Sequence, residues 1–268
     1  RPGDRVGVMP LVTCGRCREC RTGRAQLCHR RAAVGLRHPW GGMAERALVD
    51  ASQVAVLPER VSWDAAAMIE PLAVSASAVE AGRLAAGEGV LVAGFGPIGA
   101  LAALVARDAG AGAVLVSEPD AGRAAVARSL GFEVVDPAAE DVARVCRARY
   151  DGGADLAVEC AGHPVALTAA LAAVRPGGRV VQAGLIEQPV AIDVMALVLG
   201  GVSLTGSVGY PLDAWPRLLE RVAGGLDVER LITGRVALED AVDDAFEPLA
   251  RGATGAVKVL VEISPARR

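Results

Sequence analysis

Hydrophobic and polar positions alternate in two different ways along this chain. From about Val90 onward, short runs rich in Val and Leu alternate with Ala-rich segments of helical length. The predicted strands cover residues 90–93, 114–117, 156–159, 179–182 and 202–205, and the predicted helices cover 98–109, 122–130 and 164–173. Buried strands that alternate with helices predict a parallel sheet covered by helices, here with five or six strands.

The stretch before about Pro71 has a different texture. Two short strand-like runs, 5–8 and 47–49, are separated by Gly, Pro and charged turns, which is typical of irregular β structure. After Tyr210 the sequence predicts one helix, 215–223, and a final strand, 257–261, which we expect to rejoin the first domain. A length of 268 residues suits two domains of this kind.

Composition and charge exclude several classes of protein. Hydrophobic residues make up 52% of the chain but aromatic residues only 3%, which indicates packed helices and sheets. A net charge of −3 gives no field that would attract nucleic acid or an anionic membrane. The start of the chain lacks the apolar core of a signal peptide, and no apolar run reaches the roughly 18 residues of a membrane span. We therefore expect a soluble, cytoplasmic protein that binds neither nucleic acid nor membranes.

Four of the six cysteines lie within fifteen residues of one another: Cys14, Cys17, Cys20 and Cys28. This clustering favours a metal site over disulfides, and four thiolates suit a tetrahedral structural zinc ion with no open position. An iron–sulfur cluster and thiol exchange by a Cys-x-x-Cys pair are the alternatives. Six arginines lie in or beside the same lobe: Arg16, Arg18, Arg21, Arg24, Arg30 and Arg31. A zinc module that grips phosphate is therefore a further alternative, although no aromatic platform for bases accompanies it.

A glycine-rich loop follows the predicted strand 90–93 and opens a predicted helix. Its six residues are Gly94, Phe95, Gly96, Pro97, Ile98 and Gly99. In this context the pattern GxGxxG predicts a dinucleotide site, because the glycines allow a tight turn, a close approach of the pyrophosphate and close packing of helix on strand. The helix N-terminus then favours the phosphate charge. A glycine turn that only packs a helix against a strand is the alternative.

An acidic residue, Glu118, ends the next predicted strand, nineteen residues after Gly99. A carboxylate at this place can accept hydrogen bonds from the adenosine ribose hydroxyls, and it would repel a 2′-phosphate. Arg123 lies further along the chain and is a poorer candidate for a phosphate partner. The sequence therefore predicts NAD rather than NADP.

Several further segments occur in a family-specific order: 41–45, 70–74, 159–162, 175–179, 206–210, 231–233 and 257–259. With the cysteine lobe and the glycine loop, they resemble the medium-chain zinc alcohol dehydrogenases over essentially the whole chain. Glu70-Pro71-Leu72 and Ser117-Glu118-Pro119 are similar to patterns of the polyol branch, which includes butanediol, sorbitol and threonine dehydrogenases. The resemblance implies an α/β fold: a doubly wound Rossmann domain over 74–208, and a GroES-like β catalytic domain with a structural zinc lobe over 1–73 and 209–268.

The resemblance also implies the reaction, a zinc-dependent transfer of hydride between a secondary alcohol, diol or polyol and NAD. Backbone at Gly184, Ser207 and Val208 would contact the cofactor. A catalytic zinc ion would hold the alcohol oxygen, bound by a Cys and a His of an earlier segment and by a residue at the position of Glu70, directly or through water.

Residues 1–6 resemble an internal strand of the family, so we expect the chain to begin partway through the catalytic domain, without that earlier segment. Two alternatives follow. Glu70 could simply cap a helix that Pro71 starts. The chain could also be a catalytically silent NAD-binding fragment with structural zinc only.

Two expectations concern the surface of the molecule. The histidines His29, His38 and His163 lie in turn-like contexts, and we expect them to be surface or loop residues. Residues 202–208 are expected to form an edge strand that pairs across a two-fold axis, which predicts a homodimer or homotetramer.

Overall fold

The computed structural model describes residues 1–38, 40–252 and 255–263. The chain divides into two compact units. Unit 1 comprises Arg1–Ala73, Gly209–Ala253 and Val259–Arg268, and unit 2 comprises Val74–Val208 and Thr254–Lys258. The predicted segment 209–268 includes residues 253, 254 and 264–268, which lie outside the described part. Among the described residues, no helix has both the length and the apolar character needed to cross a membrane.

The first part of unit 1 consists of short elements joined by turns. Its elements are β1 (Val6–Val8), β2 (Leu11–Val12), α1 (Arg18–Arg21), β3 (Ala32–Ala33), β4 (Val54–Val56) and α2 (Trp63–Ala67). Helix α3 (Ile69–Ala81) begins in unit 1 and continues into unit 2. Strand β1 pairs antiparallel with β4, and β2 pairs antiparallel with β3. The prediction of a strand at 47–49 is wrong. Leu48 lies in irregular backbone with an exposed side chain, and its carbonyl accepts a hydrogen bond from Trp40 Nε1 at 2.8 Å.

Unit 2 contains six parallel strands: β5 (Gly89–Ala93), β6 (Ala113–Ser117), β7 (Glu133–Val135), β8 (Ala154–Glu159), β9 (Val174–Gln182) and β10 (Ser203–Gly206). They lie in the order β10-β9-β8-β5-β6-β7. The chain therefore starts at a central strand, builds one side of the sheet and then returns to build the other. The predicted doubly wound parallel sheet is confirmed, and its topology places a crevice at the carboxyl ends of the central strands.

The connecting helices are α4 (Pro97–Asp108), α5 (Ala121–Ser129), α6 (Val142–Arg149), α7 (Pro164–Ala173) and α8 (Val194–Gly200). Helix α4 is buried from Gly99 to Ala106, and Val90, Leu91 and Val92 of β5 are fully buried. Small side chains allow this helix to lie close to the sheet, which explains the Ala-rich texture of the sequence. Residues 176–178 form an irregular stretch inside β9, where the register with β8 shifts and Gly177 has a φ of 74°.

The chain then returns to unit 1 with α9 (Ala214–Ala223), β11 (Ile232–Ala237), α10 (Glu247–Ala250) and β12 (Lys258–Glu262). A π-helical turn, Val242–Phe246, precedes α10. The predicted final strand is present one residue later than expected, and it pairs with β11, which the sequence pattern did not predict. Trp215 of α9 is buried and anchors this part of the unit.

Candidate functional site

The glycine loop lies between the carboxyl end of β5 and the start of α4. Gly94 has a φ of 93°, which side chains other than glycine rarely adopt. A Cβ atom on Gly99 would lie 1.9 Å from the carbonyl oxygen of Gly94. Both residues therefore must be glycine for the loop to close as it does.

Gly96 differs from the other two glycines because its missing side chain leaves open space. It is the N-cap of α4, and Pro97 occupies the first turn of the helix. The nearest heavy atom to a Cβ placed on Gly96 would be Arg123 Nη1, at 4.0 Å. The first backbone N–H groups of a helix lack partners within the helix, so this end of α4 can receive an anion.

Glu118 lies directly after β6 and only 4% of its surface is exposed. Its Oε2 accepts a hydrogen bond from the backbone N–H of Phe95 at 2.6 Å, and its Oε1 accepts one from Asp120 at 2.9 Å. A carboxylate has about four acceptor positions, so ribose hydroxyls could still bind. Glu118 therefore joins the glycine loop to the end of the neighbouring strand.

Two other residues of the loop serve its packing. The Phe95 side chain is fully buried and packs edge-to-face on Phe132, with ring centroids 6.1 Å apart. The carbonyl of Ile98 accepts a hydrogen bond from Ser75 Oγ at 2.9 Å. These contacts fix the loop against the rest of unit 2, and neither Phe95 nor Ile98 lies in the wall of the cavity beside the loop.

A cavity of about 610 Å³ opens beside the loop, and Gly94, Gly96 and Glu118 lie in its wall. This volume is in the range of small-molecule and cofactor sites. The wall also contains residues that the sequence analysis did not assign to it, among them Pro119, Arg123, Cys160, Ala161 and His163. The cavity thus lies at the carboxyl ends of β5, β6 and β8.

Arg123, a poorer candidate for a phosphate partner by its place in the sequence, lies in the wall of the cavity. Asp120 caps α5 by accepting a hydrogen bond from the Arg123 N–H at 2.7 Å, so the helix begins directly after Glu118 and carries Arg123 back toward the glycine loop. Arg123 Nε also donates to the carbonyl of Ala256 at 2.9 Å. The aspartate three residues before Arg123 was the signal that could have predicted this position.

The three histidines differ in their surroundings. His163 is the N-cap of α7, its Nδ1 accepts a hydrogen bond from the Val165 N–H at 3.2 Å, and it lies in the cavity wall. His29 is exposed, and His38 is half-buried with its Nδ1 3.3 Å from the Trp40 carbonyl oxygen. His163 is exposed and lies in the loop before α7, as expected, and it also contributes to the candidate site.

The remaining predicted cofactor residues follow the ends of β9 and β10. The N–H of Gly184 donates to the Glu159 carbonyl at 2.8 Å, and that of Ser207 donates to the Gln182 carbonyl at 2.9 Å. Val208 comes next and is exposed. Because all strands of the sheet are parallel, these residues lie at the carboxyl ends of the strands, as the glycine loop does. They are not part of the wall of the 610 Å³ cavity.

The four clustered cysteines converge in unit 1. Their Sγ atoms all lie within 4.8 Å of one another, and those of Cys17 and Cys20 are 3.4 Å apart. Cys28 is fully buried, and its Sγ accepts backbone N–H contacts from Cys14 at 3.5 Å and Arg30 at 3.4 Å. Such N–H donors orient thiolate ligands, so the arrangement fits one tetrahedral zinc ion.

Two of these thiols have shifted acidities. Backbone N–H groups of Arg16 and Cys17 lower the pKa of Cys14 to about 6, and burial raises the pKa of Cys20 to about 11. Zinc binds the deprotonated thiolates and displaces their protons. Occupancy of this cluster is therefore expected to fall as the pH is lowered.

Glu70 lies in the first turn of α3 and is half-buried. Helix α3 begins at Ile69, so Pro71 is not its first residue, as the capping alternative had assumed. Burial, and next the charge of Glu70, raise the pKa of the Tyr210 hydroxyl. Within the described residues, the four-cysteine cluster is the one group of three or more ligating side chains close enough to hold a metal ion. Among the described residues Glu70 therefore belongs to no group of three ligating side chains, and a catalytic zinc ion at Glu70 would need further ligands that the described residues do not supply.

Comparisons with known proteins identify the relatives of this chain. The profile of the alcohol dehydrogenase GroES-like domain matches residues 1–59, and that of the zinc-binding dehydrogenases matches residues 97–224. The L-threonine 3-dehydrogenase of Anaeromyxobacter dehalogenans is 33% identical over 270 residues, covering 100% of this chain and 77% of the relative.

Solved structures give the same result. The 2R,3R-butanediol dehydrogenase of Bacillus subtilis superposes with a TM-score of 0.90 at 31% identity, covering 98% of this chain and 74% of that one. A zinc-binding dehydrogenase of Sinorhizobium meliloti 1021, bound to NADP, gives a TM-score of 0.88 at 32% identity, covering 97% of this chain and 77% of that one.

The chain belongs to the zinc-dependent medium-chain alcohol dehydrogenase family. Within that family it falls in the polyol branch, with the threonine and butanediol dehydrogenases. The predicted resemblance is confirmed, as is the prediction of a zinc-dependent, nicotinamide-linked oxidoreductase. The alternative of a catalytically silent fragment is not favoured.

Proposed function

We propose that the protein oxidises a secondary alcohol, vicinal diol or polyol with NAD as hydride acceptor, and that the 610 Å³ cavity is the cofactor site. The observation that carries the proposal is the joint presence of Gly94, Gly96, which is the N-cap of α4, and Glu118 in the wall of one cavity. Bound there, NAD would accept the hydride of the carbinol carbon. The residues of the chain bind and orient the cofactor.

The proposed roles follow from the chemistry of each group. The open face of Gly96 and the N-terminus of α4 receive the pyrophosphate, and Arg123 adds a positive charge beside them. Glu118 accepts hydrogen bonds from the ribose hydroxyls and repels a 2′-phosphate, which supports NAD over NADP. Backbone at Gly184, Ser207 and Val208 is proposed to hold the nicotinamide end.

The domain and metal assignments are also proposals. Unit 1 would be the catalytic domain and unit 2 the NAD-binding domain. Cys14, Cys17, Cys20 and Cys28 would hold a structural zinc ion, which fixes a lobe with few regular elements. Glu70 is proposed as part of the catalytic metal shell from its place in the family motif alone. All six cysteines are free, which fits work in the reducing cytoplasm.

Turnover tests the function directly. The zinc-loaded protein is expected to produce NADH, followed by its absorbance, from at least one member of a panel of 2,3-butanediol, sorbitol, threonine and simple secondary alcohols. NADP should be the poorer acceptor. Glu70→Gln should lower turnover about tenfold or more while NADH affinity, measured by calorimetry, stays unchanged. NADH binding without turnover on the whole panel would instead support the silent fragment.

We also propose that unit 2 pairs with a second copy through the edge strand β10, as the family branch implies. Every residue of β10 is exposed, and the neighbouring helix α8 exposes Val194, Met195, Val198 and Leu199. An apolar helix beside an open strand edge is a surface that soluble proteins usually cover. A homodimer, or a homotetramer built from it, would bury this surface.

Light scattering tests this association. Leu199→Glu should shift the protein from dimer or tetramer toward smaller species, since a carboxylate would be buried without a partner. Val242→Glu is the matched control, because Val242 is also an exposed apolar residue but lies in unit 1. A wild-type protein that is monomeric at micromolar concentration would refute the proposal.

A further inference from the structure

Glu159 is a fully buried carboxylate at the carboxyl end of β8 that the proposed mechanism has not used. Its Oε1 accepts a hydrogen bond from the Gly162 N–H at 2.9 Å, and its Oε2 accepts one from Gln182 Nε2. Burial raises the pKa of the Glu159 carboxyl, while these donors act in the opposite direction. A buried carboxylate is retained at a cost, so its bonds to two separate segments call for an explanation.

The two segments are the loops that follow β8 and β9. Gln182 Nε2 also donates to the Gly184 carbonyl at 2.8 Å, and the main-chain oxygen of Glu159 accepts the N–H groups of Ala183 at 2.9 Å and Gly184 at 2.8 Å. One residue therefore holds both loops through its main chain and its side chain.

The loops also pack together without spare room. A Cβ on Gly184 would lie 2.3 Å from the Gly162 nitrogen and 2.6 Å from Glu159 Oε2. A Cβ on Gly162 would lie 2.7 Å from the Leu185 carbonyl oxygen. A displacement of either loop must therefore displace the other.

The same network reaches the cofactor cavity. Residues Cys160 and Ala161, between Glu159 and Gly162, lie in its wall. The Cys160 N–H donates to the Ala93 carbonyl at 2.8 Å, and a Cβ on Gly94 would lie 2.9 Å from the Ala161 nitrogen. The loop that Glu159 holds is thus in contact with the glycine loop.

We propose that Glu159 is a positioning residue for the nicotinamide cofactor, which ties the loop after β8, in the cavity wall, to the loop after β9. The inference rests on the proposed function, because it requires that this cavity bind NAD(H). Glu159 itself does not touch the reacting atoms. It sets where the backbone of both loops meets the cofactor.

Calorimetry of NADH binding tests the proposal without requiring turnover. In Glu159→Gln the shape is kept, but an amide has only one acceptor oxygen, so its NH₂ group opposes one of the two donors. We expect the dissociation constant for NADH to rise about tenfold, because the two loops would then occupy the binding position only about a tenth of the time. Gln182→Met keeps the carboxylate and the main-chain hydrogen bonds of Glu159 and removes only the hydrogen bonds that Gln182 Nε2 donates to Glu159 and to the Gly184 carbonyl. This variant should weaken binding several-fold.

Asp155→Asn is the matched control. Asp155 lies at the opposite, amino end of β8, where its carboxylate accepts the Gly89 N–H at 2.8 Å and Arg175 Nε at 2.6 Å. The Asp155→Asn variant should have a lower melting temperature than the wild type and an unchanged affinity for NADH. If Glu159→Gln and Gln182→Met behave like Asp155→Asn, their role is structural and the inference is overturned. If Glu159→Gln fails to fold, the NADH affinity of Gln182→Met alone decides between the positioning role and a purely structural one. A wild-type protein that does not bind NADH refutes the proposed function itself.

Discussion

Replacing Gly96 by alanine is expected to abolish most NADH binding while leaving the protein folded. The added methyl group would meet no protein atom closer than 4.0 Å, so the fold has room for it. It would, however, occupy the space through which a pyrophosphate must approach the start of α4. Losing two charge-assisted hydrogen bonds of about 1.5–3 kcal/mol each would raise the dissociation constant at least about a hundredfold.

Gly99→Ala provides the matched comparison, because it adds the same methyl group to the same loop but at a position where the methyl group collides with backbone. Its methyl group would lie 1.9 Å from the Gly94 carbonyl oxygen and 3.3 Å from Cys160 Cβ, so backbone must move. We expect the free energy of unfolding to fall by about 3 kcal/mol or more, together with loss of NADH binding.

Thermal unfolding and NADH calorimetry on both variants separate the two causes. Gly96→Ala should unfold at nearly the wild-type temperature and Gly99→Ala well below it. If Gly96→Ala bound NADH as tightly as the wild type, the pyrophosphate could not lie against this loop. The cofactor would then occupy the cavity in another orientation or bind elsewhere.

The sheet of unit 2 was predictable because its signals are local. A fully buried parallel strand is apolar at every position, as in β5, and an Ala-rich helix such as α4 follows it. A strand and a helix that the sequence pattern did not predict, β7 and α6, lack these signals. Strand β7 has only three residues and begins with an exposed glutamate, and α6 carries three arginines among its eight residues.

The candidate site was predictable only in part, for the same reason. The cysteine cluster and the glycine loop are defined by spacing within short segments. The contribution of His163 and Cys160 depends on which strand ends meet at the cavity, which no local pattern contains. Glu118 was placed at the correct strand end, but its hydrogen bond to Phe95 joins residues 23 positions apart and emerges only from the folded chain.

Unit 1 was predicted least well, since its short strands pair in small two-stranded sheets that leave little periodicity. Strands of two or three residues, such as β2 and β4, cannot bury enough apolar surface to be stable alone. Their arrangement must depend on other constraints, and the four thiols of the cysteine lobe are the strongest constraint available there.

Replacing Cys28 by serine is therefore expected to cost the protein its structural zinc ion and much of its stability. Cys28 is fully buried, and its Sγ accepts the N–H groups of Cys14 and Arg30. A serine hydroxyl is a poor zinc ligand and, being shorter than the thiol, would also accept these two N–H groups less well. Loss of a structural metal costs about 4 kcal/mol or more. At about 2–4 °C per kcal/mol, the melting temperature should fall by roughly 10 °C.

Metal analysis and thermal unfolding check this prediction, with Cys146→Ala as the control. Cys146 is also fully buried, but it lies in the core of unit 2, where burial raises the pKa of its thiol to about 12 and keeps it protonated. A protonated thiol does not bind zinc, so this variant should keep its metal and lose only about 1 kcal/mol of packing. Equal zinc content in Cys28→Ser and the wild type would mean that the four thiols converge for packing alone.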